Sequence, residues 1–492
     1  MGDAPVLARP DSIYYAGAWQ PPNSSEFFEV KDSTTEESFL SVPAADRNDI
    51  DRAIRSARST FDEGSWASLQ PHERATYLEA VADALDERCE AMASHWPRET
   101  GILHTHARAM VPGYVDVWRQ YARLADSFEF RKMVTPTNGG AFGQIVREPV
   151  GVVGAIIPWN VPPMMVAHKV APALLAGCTV ILKASPEAPT AAYLAAEAAH
   201  AAGLPAGVLN VVTADRDVSE TLVTDPRVDK ITFTGSTAAG QRIGMLMGSR
   251  IGRCTLELGG KSAALVLDDY DLETAADTLA NRQCVLSGQV CAALTRIIIQ
   301  SDRHDDMVDA LAAHFDRVRI GDPFDANVDM GPLASKQQLD RVKSYIATGS
   351  REGARIASGG GVPADVERGY FIEPTVFANV DNSSTIAQEE IFGPVLSVIP
   401  ARDERDAISL ANASDYGLNA SVFSHDTERA YRIARQLRSG TVGHNAQRTD
   451  FGIAFGGFKQ SGLGREGGAE GLMSYLETKT IILNADPAQV NG

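Results

Sequence analysis

The sequence predicts an α/β protein built on an open parallel sheet, and three observations predict it. Short apolar runs recur along the middle of the chain: Val152 to Ile157, Thr179 to Lys183, Val208 to Val212, Lys230 to Thr234 and Cys254 to Leu258. Stretches of helical length separate them, among them Val161 to Ala176 and the alanine-rich Pro189 to Ala202, which Gly203 ends. Such alternation indicates strand–helix–strand units, and strands covered by helices on both faces read as unbroken apolar runs. Finally, the residues able to do chemistry sit where the runs stop, and open α/β sheets bind ligands at the carboxyl ends of their strands.

The remaining elements follow in order. The first 127 residues read as helix-rich, because Asp51 to Phe61 and His72 to Ala91 carry apolar residues at helical spacing, such as Leu78, Val81 and Leu85. These are expected to be surface helices packed on a sheet. After Leu258 a second α/β unit begins, with a strand at Ala263 to Leu267, a helix at Leu272 to Arg282, a strand at Arg296 to Gln300 and a helix at Met307 to Val318. Phe128 to Arg147 and Thr478 to Leu483 are extended and have no place in either α/β core. They predict a third, small β piece whose exposed edge suits subunit pairing.

With 492 residues the chain is too long for one ordinary core, and two or three domains are expected. Its apolar share of 44% and charged share of 22% are those of a soluble globular protein. A net charge of −18 argues against non-specific binding to nucleic acid or anionic membranes. The five cysteines (Cys89, Cys178, Cys254, Cys284 and Cys291) are widely spaced and form no CxxC pair, so neither a disulfide framework nor a zinc site is expected. His104 and His106 have no carboxylate or thiol beside them and read as surface residues, so no metal is expected. Met1 to Gly17 lacks an apolar core of signal-peptide length, and Val6 breaks the myristoylation pattern. The longest charge-free stretch, Pro149 to Ala167, is interrupted by Pro158, Asn160, Pro162 and Pro163. No single helix of that sequence spans a bilayer, and a cytoplasmic protein is the expectation.

Taken singly, the motifs are ambiguous. Asn160 in Pro158-Trp159-Asn160 is either a turn residue or a side-chain amide aimed at a developing oxyanion. Lys183, followed by Ala184-Ser185-Pro186-Glu187, is a solvated lysine or part of a ribose site. Gly235-Ser236-Thr237-Ala238-Ala239-Gly240 is a capped tight turn or a phosphate cradle at a helix N-terminus, with neither the GxGxxG fingerprint nor a P-loop lysine. Glu257 is a carboxylate on an apolar strand, costly unless paired or functional, and Gly259-Gly260 follow it. Cys291, in Gly288-Gln289-Val290-Cys291, is a buried small hydrophobe or a nucleophile. Glu390-Ile391-Phe392-Gly393-Pro394, Phe455-Gly456-Gly457 and Gly462-Leu463-Gly464-Arg465-Glu466 are glycine-rich turns or cleft loops.

Their joint order decides the matter. These motifs in this sequence, with Glu257 and Cys291 separated by 34 positions, resemble the aldehyde dehydrogenase superfamily over about residues 30 to 485. The resemblance implies a Rossmann-like NAD(P)-binding domain over 1–127 and 150–259, a catalytic thiol domain over 260–465, and an oligomerisation arm over 128–149 and 466–492. It implies Cys291 as the thiol that attacks the aldehyde, Glu257 as the base that activates water, Asn160 as the oxyanion donor and Lys169 in a proton relay. For the cofactor it implies Lys183 and Ser185 at the adenosine ribose, with Gly235, Ser236 and Gly240 at the pyrophosphate. It sets Trp159 beside the phosphates, Leu258 at the nicotinamide, Glu390 at its ribose and Phe392 packed nearby. The aldehyde tunnel would be lined by Val161, Met165, His168 and Phe451, with the helix around Tyr114 and Trp118 near its mouth, and would suit a medium-sized apolar or aromatic aldehyde. Arg448 is a solvated loop residue or a partner for a carboxylated aldehyde.

Departures from the family pattern bear on cofactor and substrate rather than on mechanism. Many members carry a glutamate three residues after the lysine, where it holds the 2′-hydroxyl of NAD; here that place is Pro186, with Glu187 one step later. NAD is the expected cofactor, with NADP left open. Ala454 stands where proline is usual, and Val161 where phenylalanine is often found. A coenzyme A-acylating enzyme and a non-catalytic paralogue are the competing readings; Glu257 argues against the first, and the joint presence of Cys291, Asn160 and Glu257 against the second. The resemblance further implies a homodimer or homotetramer.

Overall fold

The computed structural model describes residues 7–364 and 366–487, so Val6 and the end of the expected arm, 488–492, lie outside the described residues. Four short strands open the stretch that was expected to be helix-rich: β1 (Ile13–Tyr15), β2 (Ala18–Gln20), β3 (Phe27–Lys31) and β4 (Ser38–Pro43). The first two are too short for a period to register, and the other two are partly exposed and lack the unbroken apolar run of a strand buried on both faces. Helix α1 (Arg47–Glu63) starts at Asp46, which forms a capping box with Asp49.

The helix expected over His72 to Ala91 is two helices, α2 (Pro71–Asp86) and α3 (Cys89–Thr100). Leu78, Val81 and Leu85 bury one face of α2, and then the charged run at Asp86 to Arg88 interrupts it. The Arg88 N–H bonds the Leu85 carbonyl at 2.9 Å, and the chain turns so that Met92, Ala93 and Trp96 join the same core. Helix α4 (His104–Ser127) follows, then β5 (Arg131–Met133) and β6 (Phe142–Pro149).

The first α/β unit runs β7 (Val152–Ile156), α5 (Pro162–Ala176), β8 (Thr179–Ala184), α6 (Thr190–Ala201), β9 (Leu209–Thr213), α7 (Arg216–Thr224), β10 (Lys230–Thr234), α8 (Thr237–Ser249) and β11 (Arg253–Glu257). Its strands lie parallel in the order β11-β10-β7-β8-β9, with β1 and β2 added antiparallel at the far edge. Strand order reverses between β7 and β10, which opens a crevice above their carboxyl ends. Pro162 and Pro163 start α5, where a missing N–H costs nothing. Gly177 (φ +98°) ends α5, and the buried Arg74 guanidinium donates to the Leu175 carbonyl at that negative helix end and to the Leu69 carbonyl ahead of α2.

The second unit contains β12 (Ser262–Val266), α9 (Leu272–Cys284), β13 (Leu294–Gln300), β14 (Arg355–Ser358), β15 (Thr375–Ala378), β16 (Val395–Ala401), β17 (Asn419–Phe423) and β18 (Thr441–His444). Its sheet has the order β14-β15-β16-β13-β12-β17-β18, parallel except at β14. The helix expected over Met307 to Val318 lies at His304–Phe315. Strand β19 (Gly462–Leu463) departs from the expected partition: it leaves the second unit and pairs antiparallel with β11, Glu257 opposite Gly462. Strand β20 (Leu476–Leu483) pairs with β6, which also pairs with β5, so the two orphan extended segments form one three-stranded sheet. Among the described residues no helix is long and apolar enough to cross a membrane.

Candidate active site

Cys291 is reached from α9 through a tight turn in which Leu286, Ser287 and Gly288 all have positive φ. The fully buried Gln289 pins this turn. Its side chain accepts from the Ala334 N–H at 2.9 Å and donates to the carbonyls of Leu286 (2.9 Å) and Thr100 (3.2 Å). The Gln289 carbonyl in turn accepts from Asn160 Nδ2 at 2.9 Å, and Trp96 Nε1 donates to the Asn160 carbonyl at 3.0 Å. Asn160, at the carboxyl end of β7, is thereby held beside the cysteine loop. One amide hydrogen is engaged, and a primary amide has a second. Burial, together with the carboxylates of Glu390 and Glu257, pushes the Cys291 thiol up to about 12, against the N–H groups of Ala292 and Cys291 itself. The thiol is protonated at neutral pH until something removes the proton.

Glu257 ends β11 and is 3% exposed, and neither of its carboxylate oxygens has a hydrogen-bond partner among the described residues. Burial raises its pKa well above the ordinary carboxylate range; Glu466 adds to the rise, while Lys169 and Arg465 oppose it. Lys169 and Glu466 form a fully buried ion pair, and Thr232 Oγ1 lies 3.3 Å from both Lys169 Nζ and Glu466 Oε1. Behind them Lys230 donates to Thr255 Oγ1 at 2.7 Å and lies over the Tyr475 ring. Sequence reading assigned Glu466 to the arm. Its one signal was a charge beside the glycine-rich Gly462-Leu463-Gly464 turn. Gly456 (φ +153°) passes so close that a Cβ there would sit 2.6 Å from Glu257 Oε1.

At the start of α8, Ser236 is the N-cap, its hydroxyl accepting from the Ala239 N–H at 3.3 Å. Gly235 precedes it and donates to the Glu257 carbonyl at 3.0 Å, and Gly240 packs on the Leu258 side chain. Glu390 Oε1 accepts from the Gly260 N–H at 3.2 Å, and a Cβ on Gly259 would lie 2.3 Å from Glu390 Oε2. Burial raises Glu390 to about 7, opposed by that N–H, Arg341 and Lys261. Trp159 and Phe392 meet edge to face, ring centres 5.4 Å apart, with Phe392 in left-handed backbone. Lys183, near the end of β8, is buried and pushed down to about 8, with Glu187 and Asp215 opposing. Ser185 Oγ donates to the Glu187 carboxylate.

On the other side of the cleft, Val161 and Met165 are buried at the start of α5. The His168 ring lies 4.5 Å from Phe451, and Phe451 stacks on Phe455 at 4.1 Å. Burial, then the Lys169 charge, pushes His168 down to about 3, so its ring is neutral. On α4, Tyr114 and Trp118 line a small cavity with Leu85, Met92 and Val166, and Trp118 is 2% exposed. On α4 the helical period that puts Trp118 four residues after Tyr114 turns both toward the core. Arg448 packs its stem against Gly443.

The geometry therefore sets a thiol, an amide donor, a buried carboxylate and a capped helix start around one crevice. A model of the aldehyde dehydrogenase family matches residues 19–481. Geranial dehydrogenase of Castellaniella defragrans is 42% identical over 472 residues, covering 96% of this chain and 98% of that protein. The crystal structure of a Mycobacterium tuberculosis aldehyde dehydrogenase complexed with NAD+ superposes with a TM-score of 0.93 at 42% identity, over 96% of this chain and 98% of that one. A mutant aldehyde dehydrogenase C from Pseudomonas syringae, complexed with NAD+ and octanal, superposes with a TM-score of 0.94 at 36% identity over 100% of both chains. Motif order, sheet topology and these matches agree over nearly the full length, and the chain belongs to the aldehyde dehydrogenase family.

Proposed function

We infer that the protein oxidises an aldehyde to the carboxylic acid, with water as second substrate and NAD+ as hydride acceptor. The observation that carries the reading is the 2.9 Å bond from Asn160 Nδ2 to the Gln289 carbonyl, which fixes a spare amide hydrogen beside the cysteine loop. The residues present fit a dinucleotide. The first turn of α8 has N–H groups free of helical acceptors, Gly235 allows close approach, and Lys183 and Glu390 offer groups for the two riboses. When bound, the nicotinamide takes up the hydride that leaves the aldehyde carbon.

The Cys291 sulfur, losing its proton as it attacks, forms a thiohemiacetal, and Glu257, a buried carboxylate within electrostatic reach of the thiol, receives that proton. Asn160 Nδ2 and the Cys291 N–H stabilise the oxyanion. After hydride loss the acyl group remains on Cys291 as a thioester. Glu257 gives up the thiol's proton to solvent and then takes a proton from water, whose oxygen attacks the thioester carbon and displaces the thiolate; the Lys169–Glu466 ion pair lies behind it. A base whose affinity for protons is raised toward neutrality suits both duties. Glu257 also disfavours transfer to coenzyme A, because poised water competes with the incoming thiol.

Apolar Val161 and Met165 with the His168, Phe451 and Phe455 rings favour a medium-sized apolar or aromatic aldehyde. The octanal complex of the Pseudomonas relative and the name of the geranial dehydrogenase support that class. Both α/β sheets support a cofactor unit over 1–127 and 150–259 and a thiol unit over 260–465. The β5–β6–β20 sheet, with Met133, Ile482 and Leu483 exposed, supports an arm that pairs subunits into a homodimer or homotetramer. Five unpaired cysteines fit a cytoplasmic setting. The deciding experiment measures reduced cofactor and acid from octanal, with and without coenzyme A, for the native protein and Cys291→Ala. A strict requirement for coenzyme A, or normal turnover by the alanine variant, refutes the reading.

A further inference from the structure

Four buried residues close a ring of hydrogen bonds around the cysteine turn. Trp96 Nε1 donates to the Asn160 carbonyl at 3.0 Å, and Asn160 Nδ2 donates to the Gln289 carbonyl at 2.9 Å. Gln289 Nε2 donates to the Thr100 carbonyl at 3.2 Å, and Thr100 Oγ1 returns to the Trp96 carbonyl at 3.0 Å. None of the four is more than 7% exposed. Trp96 and Thr100 stand one turn apart at the end of α3, so a single helix end supplies two members. Asn160 lies between β7 and α5, and Gln289 follows α9, so the ring joins the two α/β units.

The members differ in how firmly the rest of the chain holds them. The end of α3 is fixed from several sides. Trp96 packs in the core beside Tyr114, Glu99 accepts from the Thr190 N–H at 3.0 Å, and Gly101 (φ +79°) passes so close to the Pro332 carbonyl that a Cβ would lie 2.0 Å from it. Asn160 belongs to no helix or strand, so no backbone ladder orients its peptide. Trp96 holds its carbonyl and the Gln289 carbonyl holds its amide, and two bonds at opposite ends of one residue fix both its place and its rotation.

We propose that Trp96 is a positioning residue for the oxidation: through the ring it sets the direction of the second Asn160 amide hydrogen, the one that meets the oxyanion. The proposal rests on the oxyanion role given to Asn160 above. Losing the Trp96 N–H leaves the buried Asn160 carbonyl without its donor, and the residue shifts toward whatever partner replaces it. A donor to an oxyanion is effective only in a narrow range of distance and direction, so a small shift weakens it.

The test is a double-mutant cycle in the full-length protein. Trp96→Phe and Asn160→Ala are made singly and together, checked by circular dichroism, and assayed for NADH formation from octanal. Trp96→Phe, which keeps an aromatic ring and loses the N–H, is expected to lower kcat by about 10-fold or more and to leave the KM for octanal and for NAD+ within about threefold of native. Added to Asn160→Ala, it should lower kcat by less than about twofold further, because the amide it orients is already gone. A role in stability alone lowers kcat equally in both backgrounds. Thr100→Val, which removes the hydroxyl closing the ring, is expected to give a smaller loss, about threefold, that also vanishes in the Asn160→Ala background, and it carries the test if the Trp96→Phe protein does not fold. A Trp96→Phe kcat within about twofold of native, or equal losses in the two backgrounds, overturns the proposal. Near-native kcat in Asn160→Ala overturns the oxyanion role itself, whereas a large Asn160→Ala loss with an additive Trp96→Phe loss removes this proposal alone.

Discussion

Replacing Asn160 by alanine removes one amide that has two separable duties. The first is structural: Nδ2 satisfies the Gln289 carbonyl at 2.9 Å, and Gln289 is fully buried. Without that donor the carbonyl is left unpaired, which costs about 1–3 kcal/mol. The second duty is the one proposed for catalysis: the remaining amide hydrogen would meet the oxygen that becomes an oxyanion, and losing one such donor lowers kcat by about 10²–10³-fold. The two effects appear in different measurements. Denaturant unfolding reads the first as a lower midpoint; steady-state turnover with saturating octanal and NAD+, on protein verified as folded, reads the second. Cofactor affinity should stay near native, because Asn160 touches the loop and not the helix start at Ser236. Asn160→Asp sharpens the test, since it keeps the size but turns an acceptor toward the Gln289 carbonyl; its kcat should fall at least as far. A kcat within about threefold of native in the folded alanine variant refutes the oxyanion assignment.

Three further outcomes follow from the same site and its surroundings. Glu466→Gln removes a like charge that raises Glu257 and frees Lys169 to act on it, so the acid limb of the kcat–pH profile should move to lower pH; no movement, or movement upward, contradicts the assigned coupling. Gly456→Ala brings a Cβ to 2.6 Å from Glu257 Oε1, and displacing that carboxylate should lower kcat by roughly 100-fold with little change in NAD+ affinity; unaltered turnover would show that the base tolerates movement. Glu99, buried under the Thr190 N–H and hydroxyl, is raised to about 7 by burial, so the folded protein binds its proton more tightly than the unfolded chain. Stability therefore falls as pH rises from about 4.5 to 7, by roughly 3 kcal/mol, and levels above that; Glu99→Gln should flatten this slope in pH-dependent unfolding, and a slope that persists assigns it elsewhere.

The parallel strands of both units were legible because burial on both faces leaves an unbroken apolar run. Lys230 to Thr234 is placed by the structure as its sequence predicts. What the sequence hid is of two kinds. Strands β1 to β4 and β19 lack such a run, and pairing rather than local pattern creates them. The helix break at Arg88 hid for a related reason, since apolar spacing continues across it and only the direction of the chain changes. The second kind concerns partners. Cys291, Asn160 and Glu257 stood out by motif, but Gln289, which joins the first two, reads in sequence as an ordinary polar residue. Glu466 lies far along the chain from Lys169, so their ion pair left no local signal.

The glycines show how far such hidden contacts govern the site. In sequence Gly259 and Gly456 are residues of glycine-rich turns. In the structure each stands where a backbone passes a carboxylate from elsewhere in the chain, Glu390 at Gly259 and Glu257 at Gly456, so close that a Cβ would have to displace it. Local turn formation alone would tolerate alanine at Gly259, whose φ is not positive, but a Cβ there would push Glu390 aside. A motif read as flexible is thus a steric condition on two charged side chains.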